Sequence, residues 1–171
     1  PLTFNNKPFL MSMATTNGTQ LWATNSTNSG QYDSVAVYGD KIIAVGRAYA
    51  GGNILNSSNL IEQWSLTGTQ LLSLTTNFGL NRTSWLSSVV AIESLDRAYA
   101  VGSVINSYET VHAVMLEIDL QNMAVLSVVT NNITNYNNLG FKATNYGKAI
   151  ATDGVDLYVA VEGPGEGNIQ A

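Results

Sequence analysis

The chain has no cysteine, so it contains no disulfide, no thiolate metal site and no cysteine nucleophile. Its single histidine is His112. A histidine-based metal site or a catalytic triad would therefore have to be assembled around one imidazole. No apolar run reaches the roughly 18 residues that a membrane-spanning helix needs. These absences exclude cysteine chemistry and a helical membrane span.

Charge is also scarce. Charged residues make up 11% of the chain, against about 25% in an average soluble domain. Seven basic residues are scattered singly between Lys7 and Lys148, and the net charge is −5. Proteins that bind nucleic acid need clustered lysine and arginine to neutralise phosphates. A nucleic-acid partner is therefore excluded.

Neutral polar residues take the place of the missing charges. Asn, Ser and Thr occur 19, 15 and 16 times among 171 residues. A hydrophobic fraction of 45% indicates a folded chain. Few groups can change protonation on unfolding, which is consistent with tolerance of acid surroundings and equally with an ordinary secreted β-rich protein.

Two short elements repeat along the chain. Residues 17–22 match residues 67–72, with a weaker third copy at 121–126 in which the turn glycine is missing. Residues 42–46, which end in Val-Gly, match residues 98–102. The third copy of this element covers residues 157–161, and we assign Glu162 to the place of its glycine. Repeats of this kind must be recognised before the fold is assigned.

The repeats predict an all-β fold. The apolar runs are short, rich in Val, Ile, Leu and Tyr, and bounded by Gly, Asn, Asp and Ser, and none has a helical period. Four antiparallel strands per repeat of about 50 residues are typical of a propeller blade. The expected units are a half blade at 1–31, whole blades at 32–80 and 81–135, and a half blade at 136–171.

Residues 39–46 and 66–71 carry a family likeness. They resemble the β-propeller repeats of large extracellular bacterial and archaeal proteins. The resemblance implies a fold and no particular activity. About three blades are too few for a ring, because propellers close with about four to eight. Either the chain is a fragment, which we favour, or open blades complete one another between chains.

Five Asn-x-Ser/Thr sequences are candidate glycosylation sites in an extracellular protein. All five are predicted to lie in turns or loops, where a glycan can be attached. In a chain so rich in these residues, chance is the alternative explanation. The candidates are Asn17, Asn25, Asn56, Asn81 and Asn132.

No motif indicates catalysis or a cofactor. His112 is expected to be a strand residue rather than a ligand, and residues 153–156 a turn rather than a calcium loop. Residues 162–167 precede no helix and lack Lys-Ser/Thr, so they predict a connector rather than a phosphate-binding loop. Glu117 and Asp119 share one strand face and are expected to face solvent.

The aromatic residues could pack in the core or stack against sugars. Trp22 occupies the repeat position of Leu72 and Leu126, so core packing is favoured for it. The better ligand candidates are the aromatic residues predicted to lie in loops. These are Trp85, Tyr108, Tyr136 and Tyr146.

These observations favour a non-enzymatic extracellular surface protein that acts as a scaffold, adhesion or filament component. It would use no cofactor, and its partners would be other subunits, remaining blades or glycans. Two alternatives stay open. One is a fragment of a propeller enzyme, such as a quinoprotein dehydrogenase or sugar lyase, in which only Arg47 and Arg97 could take part. The other is a carbohydrate-binding module.

Overall fold

The computed structural model describes residues 6–50, 56–77, 83–105, 111–131 and 145–163. The predicted all-β fold is confirmed: the described residues form twelve strands and one 3₁₀ turn, and no α-helix occurs among them. The strands are β1 (Phe9–Met13), β2 (Gln20–Asn25), β3 (Gly30–Tyr38), β4 (Lys41–Tyr49), β5 (Ser57–Ser65), β6 (Gln70–Thr76), β7 (Ser84–Ile92), β8 (Arg97–Ile105), β9 (Val111–Asp119), β10 (Val125–Asn131), β11 (Tyr146–Thr152) and β12 (Leu157–Glu162). The 3₁₀ turn spans Glu93–Leu95.

The strands form four antiparallel sheets in chain order. The first sheet is β1–β2, the second β3–β4–β5–β6, the third β7–β8–β9–β10 and the fourth β11–β12. Each strand pairs with the one that follows it inside the sheet. Two complete four-stranded sheets are thus flanked by a two-stranded sheet on either side.

The middle strands are apolar on both faces because both faces are covered. In β4, Ile43 and Val45 point toward the third sheet, where they join the main core, while Ile42 and Ala44 point toward the first sheet. All four side chains are buried. Successive side chains of β4 therefore point alternately into two different cores, instead of into one core and into solvent.

Strand register shows which residues are equivalent between sheets. The first strands of the second and third sheets have an irregularity at the same place, between Tyr32 and Ser34 in β3 and between Leu86 and Ser88 in β7. The same shift occurs between Gly147 and Ala149 in β11. A bulge adds one unpaired residue and so marks a fixed point in the register. The equivalences used below are counted from these points.

Successive sheets pack by one repeated geometry. Strand β7 contacts β3, β4 and β5 of the second sheet, and β11 contacts β7, β8 and β9 of the third. The backbone N–H of Val89 donates to the Ser34 hydroxyl at 3.3 Å, and that of Ile150 donates to the equivalent Ser88 hydroxyl at 3.3 Å. The main core lies between the second and third sheets and contains Ile61, Leu86, Val89, Leu116 and Ile118.

The third copy of the Val-Gly element needs a correction. Gly46 pairs with Tyr32, and Gly102 pairs with the equivalent Leu86. In the fourth sheet, the residue at this place is Val161, which pairs with Gly147. Assigning Glu162 to the glycine position was therefore wrong by one residue, because the sequence match did not include strand pairing.

The third copy of the second turn was also misaligned by one residue. The positive φ angles of Gly18 (70°) and Gly68 (83°) are matched by Met123 (58°). The register then places Ser127 opposite Glu117, whereas Trp22 and Leu72 lie opposite Ser12 and Gln63. Ser127, and not Leu126, is thus the equivalent of Trp22, and Leu126 is the extra residue of the bulge.

Strand β3 starts at Gly30, close to the approximate unit boundary predicted at 31/32. The boundaries predicted at 80/81 and 135/136 lie outside the described residues. Within the described ranges, no helix has the length and apolar character required to span a bilayer.

Candidate functional site

Three of the five candidate glycosylation residues lie within the described ranges, and all three are exposed. Asn17 lies in the turn between β1 and β2, where its Oδ1 accepts a hydrogen bond from the backbone N–H of Thr19 at 3.0 Å. Asn56 directly precedes β5. Asn25 is the last residue of β2 and pairs with Phe9, so its predicted loop position is corrected to a strand end. Asn81 and Asn132 lie outside the described residues.

His112 lies in β9 and pairs with Val104 of β8, as expected for a strand residue. Among the described residues, no group of three or more His, Cys, Asp or Glu side chains lies close enough together to hold a metal ion. Of the connector predicted at 162–167, Glu162 ends β12, and residues 164–167 lie outside the described ranges.

Asp153 closes the turn between β11 and β12. Its Oδ1 accepts the backbone N–H groups of Asp156 at 2.8 Å and Val155 at 2.9 Å, while Oδ2 accepts the Tyr158 hydroxyl at 2.9 Å. Gly154 supplies a φ of 95°. These bonds, first those from Asp156 and Val155, lower the pKa of Asp153 below its ordinary 3.8. The turn predicted for these residues is what the structure shows.

Glu117 and Asp119 share a face of β9 and both contact Arg97. The Arg97 guanidinium lies 3.5 Å from a carboxylate oxygen of each. Asp119 also accepts the backbone N–H of Gln121 at 2.8 Å, and Glu117 accepts the Ser127 hydroxyl at 3.1 Å. The two acids are half-buried rather than fully solvent-facing, which corrects the prediction. Both acids therefore take part in an ion-pair and hydrogen-bond network within the third sheet.

Arg47 and Arg97 do not converge on a common site. Arg97 begins β8 and is the equivalent of Lys41 at the start of β4, whereas Arg47 lies near the other end of β4. Arg47 pairs with Asp33 at 3.6 Å, and Arg97 with the acids of its own sheet. The two guanidinium groups therefore lie at opposite ends of neighbouring sheets, each with its own carboxylate partner.

Two of the three tryptophans pack between sheets, and the third lies in a row of aromatic and cationic side chains. Trp64 is buried, and the half-buried Trp22 donates its indole N–H to the Leu66 carbonyl at 2.7 Å, linking the first sheet to the second. Trp85 and Tyr146 lie in β7 and β11, which corrects their predicted loop positions. Tyr108 and Tyr136 lie outside the described residues.

The rings of Trp85 and Tyr146 contact each other with centroids 6.2 Å apart. The Arg47 guanidinium lies over the Trp85 ring at 5.4 Å, and the Lys148 ammonium lies over the Tyr146 ring at 5.0 Å. A sugar that stacks on an aromatic ring needs a free ring face. The cations already occupy ring faces here, which disfavours this pair as a carbohydrate platform.

A buried carboxylate at the centre of the second sheet was not predicted. Glu62 in β5 is 0% exposed. Its Oε1 accepts four side-chain hydrogen bonds, and its Oε2 accepts the Tyr32 hydroxyl. The donors to Oε1 are Ser26 (2.7 Å), Asn28 (2.7 Å), Gln70 (3.0 Å) and Ser73 (3.1 Å). Glu62 lies on the same face of β5 as Leu60 and Trp64. A charged residue on an apolar strand face was therefore the sequence feature that could have revealed this site.

The Glu62 network is suited to holding backbone in place rather than to catalysis. Its oxygens face five donors and no solvent, so a substrate has no access to them. Ser26 and Asn28 belong to the segment that joins β2 to β3, and their bonds tie this segment to the second sheet. Burial, followed by the hydrogen bond and charge of Glu62, raises the pKa of the Tyr32 hydroxyl well above its ordinary 10.0.

One broad surface, which we name the first open face, consists of exposed apolar side chains on β1 and β3. Phe9, Met11 and Met13 are 54%, 50% and 50% exposed, and Val35 and Val37 are 49% and 64% exposed. Their equivalents in the complete sheets are covered by a neighbouring sheet: Leu60 and Trp64 are 0% and 1% exposed, and Val89 is 5% exposed.

A second open face lies at the fourth sheet and contains two apolar grooves. The first groove, of about 240 Å³, is lined by Met115 and Val129 of the third sheet and by Val159 and Val161 of β12. The second, of about 340 Å³, lies on the outer side of the fourth sheet and is lined by Ala149, Ala151, Tyr158 and Ala160. Both grooves are open because the fourth sheet has only two strands and no sheet follows it among the described residues. Exposed apolar patches of this kind mark interaction sites.

Comparison of the chain with models of known protein families and with curated protein sequences finds no match. Function is therefore inferred from the arrangement of residues alone. In the described part of the chain, Arg47, Arg97, Glu62 and Asp153 are engaged in internal contacts, and the exposed apolar surfaces are the two open faces.

Proposed function

We propose that this chain is the propeller-like region of a non-enzymatic extracellular surface protein, which acts as a glycosylated scaffold and assembles with other subunits or remaining blades. In this proposal, the stacked sheets supply a rigid body. The two open faces supply the contacts with neighbouring parts of the assembly.

The open faces are the observation that carries the proposal. Phe9, Met11 and Met13 are about half-exposed at repeat positions that are buried in the second and third sheets. Burying a large apolar side chain is worth roughly 1.5–3 kcal/mol. A surface with several such side chains in one row supports association with a partner.

The rest of the surface supports an extracellular setting. Asn17, Asn25 and Asn56 are exposed, as a glycan acceptor has to be. The carboxylates and guanidinium groups that could have supported an enzyme are engaged with one another, as in the Arg97, Glu117 and Asp119 cluster. This pattern favours the scaffold over the enzyme alternative.

Methionine oxidation in the native protein tests the assembly part of the proposal. Dilute hydrogen peroxide oxidises accessible methionines, and the buried Met123, which is 4% exposed, is the internal reference. In an assembled scaffold, Met11 and Met13 should oxidise as slowly as Met123. Rapid oxidation of both, at the rate measured in a chaotrope-unfolded sample, would contradict the proposal.

The intact mass of the secreted protein tests the glycosylation part. We expect mass additions at one or more of Asn17, Asn25 and Asn56, which disappear on enzymatic deglycosylation. Peptides that carry unmodified Asn17, Asn25 and Asn56 in protein taken from its native source would remove this part of the proposal.

A further inference from the structure

We propose that two copies of this chain complete each other's half sheets and close into a ring of six four-stranded sheets. Strand β1 of one copy would pair with β12 of the other, so that β11, β12, β1 and β2 form one composite sheet at each junction. This inference rests on the propeller-like arrangement in the proposed function and identifies the partner as a second copy of the chain.

The number of strands among the described residues favours two copies over one or three. Sheets of two, four, four and two strands add up to twelve strands, the equivalent of three complete sheets. Closed propellers have about four to eight blades. Two copies give six, whereas one copy gives three and three copies give nine. Two is thus the number of copies that falls within the range of closed rings.

The two half sheets are complementary parts of one sheet. By register, β11 and β12 are equivalent to the first two strands of the complete sheets, and β1 and β2 to the last two. In the complete sheets, Ile43 pairs with Gln63 and Tyr99 pairs with Glu117. The equivalent pair across the junction is Tyr158 of one copy and Ser12 of the other.

The exposed side chains of β1 match the first groove. Within one copy, Val114, Leu116 and Ile118 of β9 pack against the second sheet and are buried. The equivalent residues of β1 are Phe9, Met11 and Met13. In the composite sheet, these three side chains would face the third sheet of the partner copy, where the groove lined by Met115 and Val129 is open.

The exposed valines of β3 match the second groove. Within one copy, Val89 of β7 packs with Ile43 and Val45 on the preceding sheet. Its equivalent, Val35, is 49% exposed because the first sheet lacks the two strands that would cover it. In the ring, Val35 would lie against Tyr158 and Ala160 of the second copy, which are the equivalents of Ile43 and Val45.

One difference sets the junction apart from the interfaces inside a copy. The hydroxyls of Ser34 and Ser88 accept a backbone N–H from the next sheet, but the equivalent residue of the fourth sheet is Ala149. The junction therefore lacks a hydrogen bond that joins the second sheet to the third and the third sheet to the fourth. This is consistent with a contact between separate chains that is weaker than the contacts within a chain.

Disulfide trapping tests the pairing directly, because the chain has no cysteine of its own. Residues that lie opposite in antiparallel strands have Cα atoms within the roughly 4.4–6.8 Å that a disulfide spans, whereas diagonal neighbours lie about 7–8 Å apart. The double variant Ser12→Cys/Tyr158→Cys should convert into a covalent two-copy species on mild oxidation. The matched control, Ser12→Cys/Ala160→Cys, is displaced by two residues and should yield at least about tenfold less.

Each outcome on a non-reducing denaturing gel is decisive. A two-copy band for the matched pair supports the ring. A ladder of larger species indicates an open filament, which overturns the ring and leaves the scaffold function standing. Absence of the band, or equal yields from both variants, overturns pairing with a second copy. The opposite pair Met11→Cys/Val159→Cys repeats the test in case the first variant does not fold.

The methionine experiment separates this inference from the proposed function. If Met11 and Met13 are protected from oxidation and neither cysteine pair links, another partner covers the first open face. In that case the second-copy inference fails and the assembled scaffold remains. If the methionines are unprotected, both fail.

Discussion

Strands β5 and β1 occupy the same place in their sheets and have opposite surroundings. Leu60 and Trp64 of β5 are 0% and 1% exposed, whereas the equivalent Phe9 and Met13 of β1 are 54% and 50% exposed. Both strands present large apolar side chains at these positions. The difference lies in the neighbours: the first sheet packs against this face of β5, whereas no sheet precedes β1 among the described residues.

The comparison teaches that burial in this array depends on whether a preceding sheet covers the strand. An apolar side chain is buried where the preceding sheet has all the strands needed to cover it. The apolar side chains at the equivalent positions of β1 therefore indicate a partner surface that covers them. The described residues do not supply that surface. The predictions below change residues on one or the other side of this comparison.

The largest expected effect is the loss of Trp64. Trp64→Ala removes a buried indole and should lower the free energy of unfolding by about 3–5 kcal/mol, measured by denaturant titration. The equivalent change, Met13→Ala, should cost less than about 1 kcal/mol in the dissociated chain, because Met13 is half-exposed there. Equal losses for the two variants would contradict the comparison.

The next effect concerns the buried carboxylate. In Glu62→Gln, an amide NH₂ group replaces one acceptor oxygen, and its N–H groups face side chains that are themselves donors. We therefore expect the free energy of unfolding to fall by about 2–3 kcal/mol. The matched control is Glu117→Gln, at the equivalent of Gln63. Because Glu117 is half-buried and paired with Arg97, this change should lower the free energy of unfolding by at most about 1 kcal/mol. A smaller loss for Glu62→Gln than for the control would refute the role assigned to the network.

Tyr32, which donates to Glu62, makes the free energy of unfolding depend on pH in the alkaline range. Its pKa in the folded protein is raised above the ordinary 10.0, first by burial and then by Glu62. The hydroxyl's contribution is fully present below pH 10 and declines as the pH rises further, because the unfolded chain ionises first. Unfolding free energy should fall above pH 10 by up to about 1.4 kcal/mol per pH unit for this group.

Tyr32→Phe should remove that part of the alkaline loss, and Tyr158→Phe, which changes an exposed residue, should retain it. Tyr38 and Tyr99 also have raised pKa values, so some dependence on pH should persist in both variants. An alkaline slope unchanged by Tyr32→Phe would show that the Tyr32 hydroxyl is not desolvated as described.

The smallest effect is expected at the exposed turn of the fourth sheet. The pKa of Asp153 is lowered by the backbone N–H groups of Asp156 and Val155 and by the Tyr158 hydroxyl. Its contribution is present above the ordinary carboxyl pKa and is lost as the pH falls through the lowered value. Asp153→Asn should speed amide hydrogen exchange at Val155 and Asp156 near neutral pH, whereas Asp156→Asn should leave the exchange at Val155 unchanged.

Much of the strand pattern could be predicted from sequence because each strand is a short apolar run between turn residues. The turns at Gly68 and Gly154 were recognisable for the same reason. The register of the paired strands could not be predicted from the sequence. In the third copies, Met123 and Val161 stand where the other copies have glycine, so no glycine anchored the match and both copies were misaligned by one residue. Registers depend on pairing across strands, which a linear match does not contain.

The chemistry was less visible than the fold. Glu62 reads as an ordinary surface acid until its donors are known, and those donors come from residues between 26 and 73 that meet only in the folded sheet. Trp85 and Tyr146 were expected in loops because strand ends cannot be located from composition alone. The open faces likewise could be identified only once the equivalents of Phe9 and Val35 were found to be buried elsewhere.

The mass in solution of the isolated 171-residue chain tests most directly the central claim, that the two-stranded sheets of two copies complete each other. Sedimentation equilibrium at micromolar concentration should give two copies of 18.3 kDa, or about 36.6 kDa. A single species of 18.3 kDa would contradict the claim, because Phe9, Met11 and Met13 of the isolated chain would then remain uncovered.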